Sequence, residues 1–158
     1  DDIGYITRAV AWLQDKYAAY PARTYGIGHS NGAIMTQTLM GVTSLYTKAV
    51  TLAGTLMAES PSLSAARGHT IINYHGTDDI NLPIAGGYGQ KGVTNINFRS
   101  QKQAKEIFER AGGTYILRAL PGAGHSIEHL SEVSKKQDGL TIGERLARDL
   151  GLAKNTTR

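Results

Sequence analysis

The chain has 158 residues, of which 41% are hydrophobic and 19% charged, a balance that allows one hydrophobic core and excludes a disordered chain. It contains no cysteine, which excludes disulfides, a thiolate metal site and a cysteine nucleophile, and no apolar run approaches the roughly 20 residues that cross a bilayer. The 17 lysine and arginine residues give a net charge of +4 but are scattered, so we interpret them as solubilising charge and predict neither a nucleic-acid nor a membrane partner.

Apolar residues recur at three- and four-residue spacings over residues 2–20, which predicts an amphipathic helix that ends before Pro21. Short apolar runs predict four strands, each followed by a turn. The predicted elements, in chain order, are a helix at 2–20, a strand at 24–28, a helix at 31–40, a strand at 48–53, a loop or short helix at 59–68, a strand at 70–75, a turn-rich segment at 77–95, a helix at 97–111, a strand at 115–120 and a helix from 141. This alternation predicts a parallel sheet with helices on both faces, a three-layer α/β fold in one domain spanning residues 1–158.

Ligands of parallel sheets bind at the carboxyl ends of the strands, so residues just past each strand are candidates for chemistry. Residues 28–32 read GHSNG between a predicted strand and an apolar helix. This context is typical of a nucleophile elbow, a strained turn that exposes a serine Oγ, with glycines where side chains would collide with backbone. Ser30 is therefore the candidate nucleophile, and the backbone N–H of Asn31 is the candidate oxyanion donor. The alternative is a turn in which Ser30 only caps the helix.

A serine hydroxyl needs a base to remove its proton, and the base needs a carboxylate to orient it. Asp78 and Asp79 follow the third predicted strand and His125 follows the fourth, in the order Ser, Asp, His that α/β-hydrolases show. The alternatives are Asx-turn chemistry for the aspartates and an exposed loop position for the histidine. These residues alone do not separate Asp78 from Asp79.

A second motif overlaps the histidine. Residues 125–129 read HSIEH and match the H-x-x-E-H motif of a group of zinc peptidases. Residues 121–124 read PGAG, which indicates a loop at His125 rather than the helix that would place His125 and His129 on one face. Since nothing singles out a third ligand, we predict no metal and no organic cofactor.

These motifs together resemble a known group of α/β-hydrolases. Residues 75–87 (HGTDDINLPIAGG) resemble the HGTxDxxxP…GG stretch of polyhydroxybutyrate depolymerases and feruloyl esterases. Residues 1–6 resemble the group's helix before the nucleophile, 30–32 its elbow, 53–55 its next strand end and 122–125 its histidine loop. The resemblance covers nearly the whole chain and implies an α/β-hydrolase fold.

The resemblance further implies a secreted serine carboxylesterase, extracellular or periplasmic, that acts through an acyl-enzyme. In it Ser30 is the nucleophile, His125 the base and Asp79 the orienting carboxylate, because Asp79 falls on the aspartate of the group's motif. Ala33 stands where the group has a second elbow glycine. The expected substrate is a small or polymeric ester: a hydroxyalkanoate, a feruloyl or acetyl ester, or a small soluble ester. The alternatives are a serine peptidase or thioesterase, or a catalytically impaired fragment that acts as a binding or folding piece.

In that group several strands precede the nucleophile, and a loop after one of them supplies a second oxyanion N–H. We therefore expect a partial fold of about four parallel strands that lacks the group's amino-terminal strands. The strand at 24–28 would then be an exposed edge that recruits a second copy of the chain or the missing amino-terminal half.

Overall fold

The computed structural model describes residues 1–92 and 95–152. Residues 155–157 read NTT, which matches a glycosylation sequon, and they lie outside the described residues. In chain order the elements are α1 (Asp2–Tyr17), β1 (Gly26–His29), α2 (Asn31–Val42), β2 (Lys48–Leu52), β3 (Thr70–Gly76), β4 (Gly87–Tyr88), β5 (Asn97–Phe98), α3 (Gln101–Arg110), β6 (Thr114–Leu120), α4 (Ile127–Asp138) and α5 (Ile142–Asp149). Of these described helices, none has the length and apolar character needed to cross a membrane.

Four of the strands form a parallel sheet in the order β1-β2-β3-β6, which confirms the predicted architecture. Successive side chains of a strand point to opposite faces, so the sheet carries a hydrophobic core on each side. One core joins the strands to α2 and α3 and includes Ala49, Ile71, Tyr115, Met40 and Phe108. The other joins them to α4 and α5 and includes Val50, Ile72, Tyr74, Leu130 and Ile142. Helices on both faces complete the three layers.

The predicted edge is present, since β1 pairs with β2 alone among the described strands. Ile27 on this strand is 56% exposed. None of the described residues of α1 is buried, and the carboxyl-terminal half of its apolar stripe faces outward, with Leu13 46% and Tyr17 66% exposed. Only the first half of the apolar stripe, around Ile6, packs against the core.

Two further elements differ from the sequence prediction. The third long helix begins at Gln101 rather than at 97, because residues 97–98 form β5 and pair antiparallel with β4. The segment after His125 contains a helix, α4, that the sequence analysis did not predict. One inward position of α4 is Ser134, whose hydroxyl donates to the Leu140 carbonyl oxygen, so the buried face is not marked by apolar residues alone.

Candidate active site

Ser30 occupies a strained turn between β1 and α2. Its backbone angles are φ 55° and ψ −122°. Residues other than glycine rarely adopt a positive φ of this kind. The turn is held on both sides: the Ser30 N–H donates to the Leu52 carbonyl oxygen at 3.0 Å, and its carbonyl oxygen accepts from the N–H groups of Ala33 and Ile34 at 3.0 and 3.1 Å. The strained elbow expected from residues 28–32 is therefore present in the structure.

The two glycines that flank the turn have different roles. A Cβ atom on Gly28 would collide with the backbone of Gly32, so the expectation of a required glycine is correct there. A Cβ atom on Gly32 would meet no described atom within 4 Å, so the same expectation is wrong at that position. Ala33 is fully buried against Gly54, where a Cβ would collide with the Ala33 methyl group. The absence of a side chain at Gly54 accommodates the methyl group that Ala33 adds.

The structure brings Ser30, Asp79 and His125 together at the carboxyl edge of the sheet. The Nε2 atom of His125 lies 2.8 Å from the Ser30 Oγ, and its Nδ1 atom lies 2.7 Å from the Asp79 Oδ2. A carboxylate only accepts, so the Nδ1–H of His125 donates to Asp79 and its Nε2 is left to accept from the Ser30 hydroxyl. This is the tautomer in which an imidazole can remove the serine proton.

The geometry also separates the two aspartates. Asp78 is exposed and its carboxylate accepts from the Thr77 hydroxyl at 2.9 Å. Asp79 is 3% exposed, and its Oδ1 atom accepts from the N–H groups of Asn81 and Leu82, both at 2.9 Å. The Asx-turn hydrogen bonds considered as an alternative are thus present at Asp79. Its Oδ1 accepts them, while its Oδ2 contacts His125.

Hydrogen bonds keep the Asp79 carboxyl ionised in spite of its burial. Burial alone would raise its pKa, but the bonds from His125 and from the Leu82 N–H outweigh that effect and hold the pKa below its ordinary value. Asp79 is therefore a fixed negative charge beside the Nδ1–H of His125. Such a charge stabilises the imidazolium that forms when the histidine takes a proton.

Two other histidines hold the loop that carries His125. The Nε2–H of His29, the residue before Ser30, donates to the His125 carbonyl oxygen at 2.8 Å, and the two rings lie 5.2 Å apart. The Nδ1 of His129 accepts from the Gly124 N–H at 3.0 Å. Among the described residues, no cluster of three histidine, aspartate or glutamate side chains could hold a metal ion. The zinc motif therefore has no ligand set in this part of the chain.

A cavity of about 180 Å³ opens beside Ser30 and His125. Asn31 lines it as the first residue of α2, where an N–H has no acceptor within its own helix. The apolar part of its wall comprises Ile34, Leu82, Ile96 and Phe98. The sequence analysis did not identify these wall residues, because they come from three segments that are distant in sequence: α2, the turn after β3, and residues 96–98. A larger cavity of about 320 Å³ beside β4 and β5 contains none of the three converging residues.

The comparisons with known proteins define the fold. No protein-family model matches the chain, and no curated protein does. Among solved structures it is similar to Arabidopsis thaliana SOBER1 (TM-score 0.54, 21% identity, covering 84% of this chain and 63% of that one). It is also similar to a Bacillus cereus carboxylesterase (0.60, 15%, 87% and 60%) and to esterase PE8 (0.55, 20%, 83% and 57%).

The chain has the α/β-hydrolase fold, and its structural neighbours include esterases of that fold. It spans about 57–63% of the length of these three neighbours. The resemblance to polyhydroxybutyrate depolymerases and feruloyl esterases stays a prediction.

Proposed function

We propose that the chain carries the catalytic centre of a serine carboxylesterase. The observation that carries this proposal is the continuous hydrogen-bonded series from the Ser30 Oγ through His125 to the buried Asp79 carboxylate, built on a strained elbow. Support for the reaction class comes from the esterases and the carboxylesterase among the structural neighbours.

In the proposed acylation, the Ser30 Oγ attacks the ester carbonyl carbon while the Nε2 of His125 takes the hydroxyl proton. The carbonyl oxygen becomes an oxyanion that accepts from the Asn31 N–H, which lies at the positive end of α2. The Asp79 carboxylate stabilises the imidazolium. When the tetrahedral intermediate collapses, the bond to the leaving oxygen breaks and His125 returns its proton to the departing alcohol.

Deacylation repeats these steps with water as the nucleophile. The His125 Nε2 takes a proton from water as its oxygen attacks the acyl carbon, and a second tetrahedral intermediate forms. Its collapse breaks the bond to the Ser30 Oγ, which regains the proton from His125, and the carboxylic acid leaves. The chain's own residues supply every proton transfer in this cycle.

The cavity indicates a small, uncharged acyl group. None of its described lining residues carries a lysine, arginine or carboxylate side chain, and four of them are apolar. Its volume of about 180 Å³ is below the roughly 300 Å³ at which pockets for drug-sized ligands begin. We therefore propose short aliphatic esters as the preferred substrates. Acetyl, hydroxyalkanoate and feruloyl esters, small or polymeric, are the classes to compare in an assay.

A fluorophosphonate probe tests the nucleophile. We expect the parent protein to be labelled at Ser30 and to hydrolyse a short-chain p-nitrophenyl ester, and Ser30→Ala to do neither. Ser64→Ala is the matched control, because Ser64 is exposed on a loop away from the cavity. Labelling that is equal in parent and Ser30→Ala would contradict the proposal. A larger turnover of matched amides or thioesters than of esters would favour a serine peptidase or thioesterase on the same centre.

We also propose that the β1 edge is paired in the active protein, by a second copy or by an amino-terminal segment. The exposed Ile27 on an open strand and the greater length of the neighbours support this. Sedimentation of the chain separates the two partners. A dimer that Ile27→Lys dissociates supports the second copy, whereas a monomer excludes it. A location outside the cytoplasm stays a prediction.

A further inference from the structure

A group of polar side chains lies fully buried beneath the proposed catalytic centre. Burying polar groups costs several kcal/mol unless each finds a hydrogen-bond partner, so such a group needs a physical reason. We call it the buried amide cluster. Its members, each at most 1% exposed, are Gln37, Thr51, Asn73, His75, Gln101 and Tyr115.

The cluster fixes which way the Gln101 side-chain amide points. Its Oε1 accepts from the Asn73 Nδ2 at 2.8 Å and from the Tyr115 hydroxyl at 2.9 Å. Its Nε2 therefore faces the opposite side, where it donates to the Gly54 carbonyl oxygen at 2.7 Å and contacts the Nδ1 of His75 at 3.1 Å. With both amide hydrogens committed in this way, Gln101 presents a donor to the histidine.

That donor sets the tautomer of His75. Its Nδ1 must accept from the Gln101 amide, so the proton of the neutral ring is on Nε2. The Nε2–H donates to the Leu82 carbonyl oxygen at 2.8 Å, and the Asp79 Oδ2 lies 3.5 Å away. Burial lowers the pKa of His75, although the Leu82 carbonyl and the Asp79 carboxylate act in the opposite direction. The ring is therefore neutral at physiological pH.

Leu82 connects this histidine to the proposed centre. Its carbonyl oxygen accepts from His75, and its N–H donates to the Asp79 Oδ1 at 2.9 Å. The other oxygen of Asp79 holds the Nδ1–H of His125. A displacement of the 79–82 turn would therefore move the carboxylate away from the ring that it orients.

We infer that His75 and Gln101 are positioning residues: Gln101 holds His75 in the tautomer that anchors the 79–82 turn, and the turn in turn aims the Asp79 carboxylate at His125. This inference rests on the proposed function for its effect on turnover, but the positioning itself can be observed separately.

Two substitutions at one position test the inference. His75→Gln keeps a donor for the Leu82 carbonyl and an acceptor for the Gln101 amide, whereas His75→Leu, of similar size, keeps neither. We expect His75→Leu to lower kcat for a p-nitrophenyl ester by about 10- to 100-fold with little change in KM, because misplacing a catalytic group by about 1 Å can cost on the order of 10²-fold. We expect His75→Gln to stay within about threefold of the parent.

The isosteric Gln101→Glu tests the tautomer. An ionised carboxylate only accepts, so in a neutral His75 ring it holds the single proton on Nδ1 and removes the donor to Leu82; kcat is therefore compared at a pH at which the His75 ring of the variant is neutral. Gln101→Glu should therefore lower kcat as His75→Leu does, while a circular-dichroism spectrum shows that the variant is folded. It also replaces His75→Leu as the deciding variant if His75→Leu does not fold.

A proton NMR measurement reports the positioning without any substrate. The Nδ1–H of His125, bonded to Asp79, should give a low-field resonance that Asp79→Asn abolishes. We expect this resonance in the parent and in His75→Gln, and its loss or broadening in His75→Leu and Gln101→Glu. If the variants unfold at lower temperature but keep both the resonance and kcat, the role is only structural and the inference is wrong. If the resonance behaves as expected while the parent hydrolyses no ester, the positioning holds and the proposed function is wrong.

Discussion

The two ends of the central sheet differ in how firmly they are held. At one end, the edge strand β6 pairs with β3 over all seven of its residues; β3 is buried at all but its first residue, whereas only Tyr115 and Leu120 of β6 are buried. At the other, β1 pairs over four residues with β2 and with no other described strand, and only Gly26 of β1 is buried. Asp79 and His125 follow the firm end, whereas Ser30 follows the open one. The alignment of Ser30 with His125 therefore depends on the hydrogen bonds of the elbow, which include the one from the Ser30 N–H to the Leu52 carbonyl oxygen, and on the bond from His29 to the His125 carbonyl oxygen.

The largest loss of kcat should come from a substitution in the elbow, which follows β1 at the open end of the sheet. We expect Ser30→Ala to lower kcat for a short-chain ester by at least about 10⁴-fold, since the Ser30 Oγ is the attacking atom of the proposed mechanism. The unfolding temperature should stay close to that of the parent, because the hydroxyl lies at a turn and contributes little packing. Steady-state kinetics and a thermal melt measure both, and a variant that retains most of the parent's turnover would refute the assignment of the nucleophile.

The next largest effect distinguishes the two neighbouring aspartates at the firm end. We expect Asp79→Asn to lower kcat by about 10²- to 10⁴-fold, because an amide can donate to Nδ1 and so favours the wrong tautomer of His125. Asp78→Asn is the matched control and should change kcat by less than about twofold, since that side chain is exposed. Equal losses in the two variants would show that the contact between Asp79 and His125 does not matter for turnover.

A moderate loss in the free energy of unfolding should distinguish a buried tyrosine of β6 from an exposed tyrosine of α1. Tyr115→Phe removes the hydroxyl that donates to Gln101 and lies 3.2 Å from the Gln37 Oε1, and leaving buried amide oxygens short of a donor costs about 1–3 kcal/mol. Tyr17→Phe makes the same change on the exposed face of α1, and its free energy of unfolding should differ by less than about 0.5 kcal/mol. Urea denaturation measures both values. Similar losses in the two variants would contradict the comparison.

The smallest effect is a decrease in the free energy of unfolding at low pH that is caused by the buried His75. The pKa of His75 is lowered in the folded state, so the unfolded chain binds more protons there, and stability falls as pH decreases. The contribution is complete above the unfolded value of about 6.5 and is lost as the pH falls toward the lowered folded value. Asp79, whose pKa is also lowered, adds a second loss below about pH 4. Between pH 7 and 5 the free energy of unfolding of His75→Gln should fall less steeply than that of the parent, and identical slopes would show that His75 does not titrate this way.

The sequence predicts the parts of this molecule that depend on local pattern. The alternation of strands and helices, the strained turn at Ser30 and the position of His125 just past a strand all follow from neighbouring residues. The choice of Asp79 over Asp78 does not follow from neighbouring residues, because both aspartates come just after the same strand and both carry a carboxylate that could orient a histidine. The resemblance supplied that choice, and the hydrogen bonds of Asp79 agree with it.

Other features depend on contacts between distant residues and leave little local signal. The strands β4 and β5 are two residues long each, and they exist only because they pair with one another. His69 carries no local sign of burial in the sequence, yet it is buried and its Nδ1 lies 2.8 Å from the Met40 carbonyl oxygen. The orientation of Gln101 depends on partners as far away in sequence as Gly54, so no short window of the sequence contains it.

The central claim is that Ser30 carries the acyl group during turnover. Rapid acid quenching of the protein during hydrolysis of p-nitrophenyl butyrate, followed by mass spectrometry of its peptides, tests this claim most directly. The account predicts one butyryl group, located on Ser30 and absent from Ser30→Ala. A butyryl group on another residue, or turnover undiminished in Ser30→Ala, would contradict it.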